Sequence, residues 1–437
     1  MIKIVPICLG LIITSFFYFP FFVTFLPSVN TKMMVALAGL ILLMFNLSRG
    51  REAKIDKNFF IISLLALGVS FVSLMSMTLN NTTDNSYLSY IISMWVWCGA
   101  GYFVVGFIKC VHGKCSIELL CQYMIVVGVC QCLVAIAIDN IPFVEQFVHS
   151  FLAGNDFMGK AKGRTHGIGC GLDVGGARLG VLLVMIAYLL PRMQKYKNYK
   201  IRTFLLLISY GIIIVIGNMI GRTATTGAII SLLYLVYVFY SKNEIIPNEK
   251  RQFLTYSVIL FLCMTIIISV FLYNGSIYWA EKFRFGFEGF FSLVEVGSWE
   301  VQSNDMLMEG MIFPDNTWTW IIGDGYMADP YYDPYYIGEA SYGFYKNTDA
   351  GYSRFIFYFG LVGLAIFSLF FIKVACVCIS KFRTHKMLFL MILALCFIVW
   401  IKATSDLFPA LAAFLCISKE DNDEYEKNIE LYYIGAK

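Results

Sequence analysis

Charge is what this sequence has least of. Of its 437 residues only 14% are Asp, Glu, Lys or Arg, while 59% are hydrophobic. That excludes a soluble globule of this size, whose interior could not hold so much apolar surface. Histidine is scarcer still, at 4 residues, with no H-E-x-x-H, and no Walker-type G-x-x-x-x-G-K-[ST] occurs. The charged loops between apolar runs are short, so ATP or a sugar nucleotide has no cytosolic domain to bind. No acidic cluster has divalent-metal spacing, and neither metal nor other cofactor is expected. A cleavable signal peptide is not expected either. Lys3 precedes an apolar run over 4–27 without a small-residue cleavage site, which reads as a first membrane helix kinked by Pro20 near its far end.

Cysteine is present, at 13 residues, but Cys170 alone falls in an outer loop, so no intramolecular disulfide is expected there. Cys110/Cys115 and Cys376/Cys378 are spaced like metal ligands, but read better as small apolar residues in or near helices.

What the sequence does have is repeated apolar runs of about 15 to 22 residues. They predict an all-α polytopic membrane protein, a single integral membrane domain over 1–437. About 12 transmembrane helices are expected, over 4–27, 33–47, 59–79, 87–108, 117–138, 177–190, 203–218, 224–240, 253–272, 352–372, 387–401 and 405–417. With both termini cytoplasmic, the inner segments hold 22 of the 33 Lys and Arg, as the positive-inside rule requires. The acidic tail "SKEDNDEYEKN" reads as a solvated cytosolic end.

Two extracytoplasmic loops, about 139–176 and 273–351, are too long for simple turns. In the second, "YWAEKFRFGFEGFFSLVEVGSW" repeats Phe283, Phe287, Phe290, Phe291 and Val294 at helical spacing, opposite Glu281 and Glu288. This is expected to be an amphipathic helix on the outer interface. "GDGYMADPYYDPYYIGEASYGFYKN" is expected to form an irregular lid, its tyrosines serving either sugar binding or aromatic packing.

Between Thr203 and Tyr240 the one charged residue is Arg222, within "GNMIGRTATTG". As one helix the stretch would be roughly 57 Å long, nearly twice the ~30 Å hydrocarbon core. It therefore folds as two short spans, broken at Gly217, Asn218 and Gly221. Arg222 then lies near the outer surface at a helix N-terminus, where it is either part of an anion site or a snorkelling interface anchor. Other outer cations are Lys160, Lys162, Arg164 and Arg178 in "KAKGRTHGIGCGLDVGGARLG", with Arg284 and Arg354. Arginines converging from separate loops suit a diphosphate, which the guanidinium fork pairs bidentately. In "KNTDAGYSRFIFYFGLVGLAIF", Asp349 precedes a helix and is open to three readings: N-cap, ion pair with Arg354, or general base. Asp173, Asp324 and His166 are weaker rivals.

The order of these segments resembles the O-antigen ligase/polymerase superfamily, over about residues 160 to 372. "GNMIGRTATTGAIISL" is similar to its arginine-bearing broken helix pair. "IIGDGYM" and "TDAGYSRFIFYFGLVGLAIF" are similar to the end of its long outer loop and the helix that follows, and "KGRTHGIGCGLDVGGARLG" to an earlier arginine-bearing loop. The resemblance implies a glycosyltransferase of the bacterial inner membrane that takes an undecaprenyl-diphosphate-linked oligosaccharide as donor. Ligases of the superfamily often carry histidine where this chain has Asp349, which favours a Wzy-like polymerase; the alternatives are the ligase itself and a flippase of lipid-linked oligosaccharide. It further implies that Arg222, Arg164 and Arg284, with Arg178 and Arg354, hold the diphosphate. Asp349 would then orient or deprotonate the acceptor hydroxyl, with His166 and Tyr352 as acceptor contacts. Catalysis is expected to be inverting and metal-independent. The implied partners are the lipid-linked oligosaccharide, the bilayer and a chain-length regulator, with no nucleic acid.

Overall fold

The computed structural model describes residues 4–49, 57–153, 164–241, 248–301, 308, 311–331 and 343–424. Lys160, Lys162 and the lid segment 332–342 lie outside them. The architecture is helical and polytopic. Among the described residues, nine helices are long and apolar enough to cross a membrane. These are α2 (Thr31–Ser48), α3 (Lys57–Asn80), α4 (Tyr90–His112), α5 (Ile117–Asn140), α7 (Leu172–Met193), α8 (Tyr199–Ile220), α10 (Asn248–Gly275), α14 (Gly351–Lys381) and α15 (Lys386–Lys402), counted with its preceding turn. Two apolar helices are shorter, α1 (Ile4–Tyr18) and α9 (Ala224–Tyr240).

The expected span over 4–27 is corrected. Pro20 disfavours helix in the residue before it, and α1 stops at Tyr18. The chain then turns into a hairpin of β1 (Phe22–Val23) and β2 (Leu26–Asn30), antiparallel, so a small sheet joins the helices. The hairpin is tied to the end of α6 (Pro142–Phe151) by Thr24 N–H to Phe151 O at 2.9 Å and Ala153 N–H to Phe22 O at 2.9 Å. The span expected over 405–417 is instead the 9-residue α16 (Phe408–Cys416). At ~14 Å it covers half a hydrocarbon core, and its residues Phe408 to Phe414 are buried among other helices.

Nor is the tail freely solvated as far as it is described. Lys109 pairs with Asp421 at 2.8 Å, Lys114 with Glu424, and Asn422 Oδ1 accepts the Ile117 amide at 3.2 Å.

At the centre is α7, almost wholly buried, whereas few residues of α10 are buried. Glycines let α9 press onto α7. A Cβ on Gly227 would fall 2.2 Å from Gly180 O, and one on Gly176 2.4 Å from Gly221 O. Small-residue seams of this kind are how membrane helices gain packing where lipid supplies no hydrophobic drive. The seam sets the 221–223 turn against the start of α7, where the Thr223 hydroxyl donates to Asp173 O at 2.8 Å.

The long second loop begins with α11 (Ile277–Gly286) and α12 (Glu288–Glu295). The expected single amphipathic helix is thus two, parted at Phe287, whose φ of −126° is not helical. Phe290, Leu293 and Val294 remain exposed as an apolar face. Next, α13 (Thr317–Ile322) lies across α14 where that helix breaks at Phe359 and Gly360, the latter at φ +65°. A Cβ on Gly360 would meet Ile321 backbone at 2.2 Å. The carbonyls of Phe357 and Tyr358 accept the amides of Asp324 at 2.6 Å and Gly325 at 3.2 Å.

Candidate functional site

The break at Gly221 is local chemistry. α8 ends at Ile220 and α9 starts at Ala224. Asn218 Oδ1 accepts the Thr225 hydroxyl at 2.6 Å while its amide donates to Ile214 O at 2.7 Å, joining the two helix ends. Arg222, in the turn, is paired with the Glu288 carboxylate and lies 4.6 Å from the Phe285 ring. Arg164 comes over the same ring at 5.4 Å. The guanidinium is therefore engaged by a carboxylate and an aromatic ring. It is 17% exposed and shares an aromatic platform with a second arginine.

Asp349 is held opposite. Gly351 opens α14 against the end of α15, where an added Cβ would fall 2.4 Å from Trp400 O and 2.7 Å from Ala403 O. That approach faces Asp349 with Lys402, and Lys402 lies 4.0 Å from Asp173. Asp349 does not cap α14: the N-cap residue is Ala350 and no side chain caps it. Among the described residues its carboxylate accepts no hydrogen bond and has no ion-pair partner, so neither the cap nor the Arg354 pair forms. Burial, aided by Asp173 and opposed by Arg354, Lys402 and Arg164, pushes this carboxyl up to about 6. A carboxylate so poised can accept a proton near neutral pH.

Between α15 and α16, residues 402–407 alternate in burial. Ala403, Ser405 and Leu407 are buried, while Lys402, Thr404 and Asp406 share the more open face. Ala403 is extended, at φ −149° and ψ 151°. Lys402 faces Asp349 and Asp173. The Thr404 hydroxyl oxygen accepts from Arg354 Nη1 at 3.2 Å. Asp406 faces Lys32 and Arg178 and accepts the Phe408 amide at 2.8 Å. Five buried side-chain N or O atoms lack a hydrogen-bond partner among the described residues. Four of them, Ser353 Oγ, Arg354 Nε, Ser405 Oγ and Arg178 Nε, belong to this segment or to the α14 and α7 residues near it. Buried polar groups are ordinarily paired, and such a concentration marks a place built for something other than packing.

The remaining residues named from sequence lie apart. Arg284 is exposed on α11, paired with Glu295 at 2.6 Å and with Tyr273 Oη at 3.0 Å, and does not join Arg222. Its helix turns Phe283 and Gly286 inward, leaving position 284 outward. Arg178 donates from Nη1 to Tyr18 O at 2.9 Å, near the Asp406 end. His166 is buried and stacked on His149 at 6.2 Å, and burial lowers its imidazole from the ordinary value. The Tyr352 hydroxyl donates to Phe397 O at 2.9 Å and is committed to helix packing. Asp324 accepts from Thr319 and Tyr345 hydroxyls and braces the loop. Cys110 and Cys376 are exposed while Cys115 and Cys378 are buried. Among the described residues no three His, Cys, Asp or Glu side chains form a group able to hold a metal.

The structure adds Lys402, Asp406, Lys32, Glu288 and Phe285. Their signal in the sequence was faint: "KATSD" alternates polar and small residues between two apolar runs, and Lys32 is an isolated cation at a helix start. No family model, characterised protein or solved structure matches this chain.

Proposed function

We propose that this chain is a membrane glycosyltransferase that joins undecaprenyl-diphosphate-linked oligosaccharide repeat units into a surface polysaccharide, O-antigen or capsular, at the outer face of a bacterial inner membrane. The observation that supports this best is the half-buried Asp349 carboxylate, which has no hydrogen-bond or ion-pair partner among the described residues and is faced by Arg164, Arg354 and Lys402. Arg222 stands beyond them on the Phe285 ring it shares with Arg164.

The donor's anomeric carbon would lie between the carboxylate and the cations. An acceptor hydroxyl attacks that carbon and gives its proton to Asp349. The bond from carbon to diphosphate oxygen breaks, and its electron pair leaves on the lipid diphosphate. Fixed cations stabilise that growing charge more than water could, because they need no reorganisation as it forms. One displacement inverts the anomeric configuration. Before the donor arrives, Glu288 occupies Arg222, so the diphosphate takes the place of a carboxylate on the same guanidinium.

The test is polymer formation in a strain lacking its own polymerase, complemented with wild type, Arg222→Ala, Arg222→Lys and Asp349→Asn at matched membrane levels. The expected result is loss of polymer in all three variants while single repeat units still reach the surface. Normal polymer from all three would overturn the assignment. Single units that no longer reach the surface would point to a flippase instead.

A further inference from the structure

The reaction above uses only one end of the Lys402–Asp406 segment. At the other end, the Lys32 ammonium is 4.3 Å from the Trp97 ring centre and the Arg178 guanidinium 5.6 Å from the same centre. Asp406, Tyr90 and the Tyr18 carbonyl complete this pole. Arg178 is 8% exposed, yet it spends one donor on Tyr18 O and its Nε–H finds no acceptor among the described residues. No carboxylate lies within ion-pair distance of Lys32 among the described residues. Asp406 is already bound to the Phe408 amide and lies 3.4 Å from the Tyr90 hydroxyl, so one partly committed carboxylate faces two cations. The pole carries an excess of positive charge and a buried donor with nothing to bind, which is a demand for an anion.

We propose that Lys32 and Arg178 hold a second lipid-linked diphosphate, that of the acceptor, while Arg222 and Arg164 hold the donor's. This inference rests on the glycosyltransferase reading. A polymerase joins two substrates that both carry a diphosphate, and the acceptor's lies one oligosaccharide away from the hydroxyl that reacts. The segment supplies that separation. From Lys402, beside the base, to Asp406 is four residue steps, ~13 Å at full extension, and Thr404, bonded to Arg354, lies between them as a polar contact for sugar hydroxyls.

The test is equilibrium binding of labelled farnesyl diphosphate to the full chain in lipid nanodiscs, with thermal unfolding as the check on folding. The wild type is expected to bind about two per chain, Lys32→Gln and Arg222→Ala about one each, and Lys32→Arg about two. Lys32 carries the test because Arg178 is wedged against α1 and its removal could unfold the bundle. A wild type that binds one, lost in Arg222→Ala and unchanged in Lys32→Gln, overturns this inference and leaves the proposed reaction standing. Binding that depends on Lys32 but not on Arg222 supports the pole and overturns the donor assignment. Displacement of the Lys32-dependent label by equimolar inorganic pyrophosphate would assign the pole to a free anion, not a lipid.

Discussion

Gly351 and Trp400 touch backbone to backbone, so closely that a Cβ on the glycine would lie 2.4 Å from the Trp400 carbonyl oxygen. Asp349 owes its place beside Lys402 to this contact. Gly351→Ala must separate α14 from α15, and overpacking of this kind costs about 1–3 kcal/mol. Activity should fall more than stability, because a carboxylate displaced by an ångström from its working position loses on the order of 10²-fold in rate. Polymer yield compared with thermal unfolding of the same preparation checks this. Equal losses in both would mean that the contact serves packing alone.

The carboxyl of Asp349, held at about 6, gives two opposed pH dependences. As a base it works only when ionised, so turnover should rise with pH and level off above about 6. Stability runs the other way. The folded state favours the protonated form, so this group's contribution is intact below the unfolded carboxyl range, near 4, and is lost as pH climbs through about 6. Asp349→Asn should therefore abolish turnover yet raise stability at pH 7.5, by on the order of 3 kcal/mol at most. Unfolding midpoints at pH 4 and pH 7.5 are the measurement, with the advantage of the variant vanishing at the lower value.

Glu288 and the donor compete for one guanidinium. Glu288→Gln removes the competitor and keeps the shape, so the donor KM should fall roughly five- to tenfold, the order expected when about 1 kcal/mol of charge pairing no longer has to be broken. Arg222→Lys should raise it, since a point charge loses the planar fork and its stacking on Phe285. If Glu288→Gln weakened donor binding, the glutamate would be a positioning group.

Gly227→Ala tests the seam that carries Arg222. Its Cβ would meet Gly180 O at 2.2 Å, a backbone atom with no rotamer to yield. We expect a loss of at least about 1 kcal/mol in stability and reduced polymer, while Gly275→Ala, open to space, should match wild type in both.

The helices, the break at Gly221 and the glycine-bearing crossings follow from apolar periodicity and from residue types that act locally. Arg222, Arg164, Asp349 and Arg354 were legible because cations and carboxylates are rare in this chain, so each one stands out. Glu288 was not. It lies in a stretch whose Phe spacing predicts one amphipathic helix with Glu288 in water, and only the break at Phe287 turns it onto Arg222. Arg284 fails for the same reason in reverse: one position on a helix decides whether it faces the bundle or solvent, and the break resets that phase. Lys402 and Asp406 were hidden because an apolar run after 405 reads as a span, when α16 is a short helix buried among others. Approaches between residues far apart in sequence, such as Asp349 facing Lys402 or Asp406 facing Lys32, carry no periodic signal.

The break in α14 has a mechanical consequence. Below Gly360 the helix is anchored in the bundle. Above it, residues 351–358 are hydrogen-bonded through Phe357 O and Tyr358 O to the 317–325 arm, and Asp349 and Arg354 ride on that upper piece. That upper piece is clamped on two sides, by the arm through these carbonyls and by α15 through Gly351 against Trp400 O and the Tyr352 hydroxyl on Phe397 O, so Asp349 and Arg354 hold their places only while both clamps are intact.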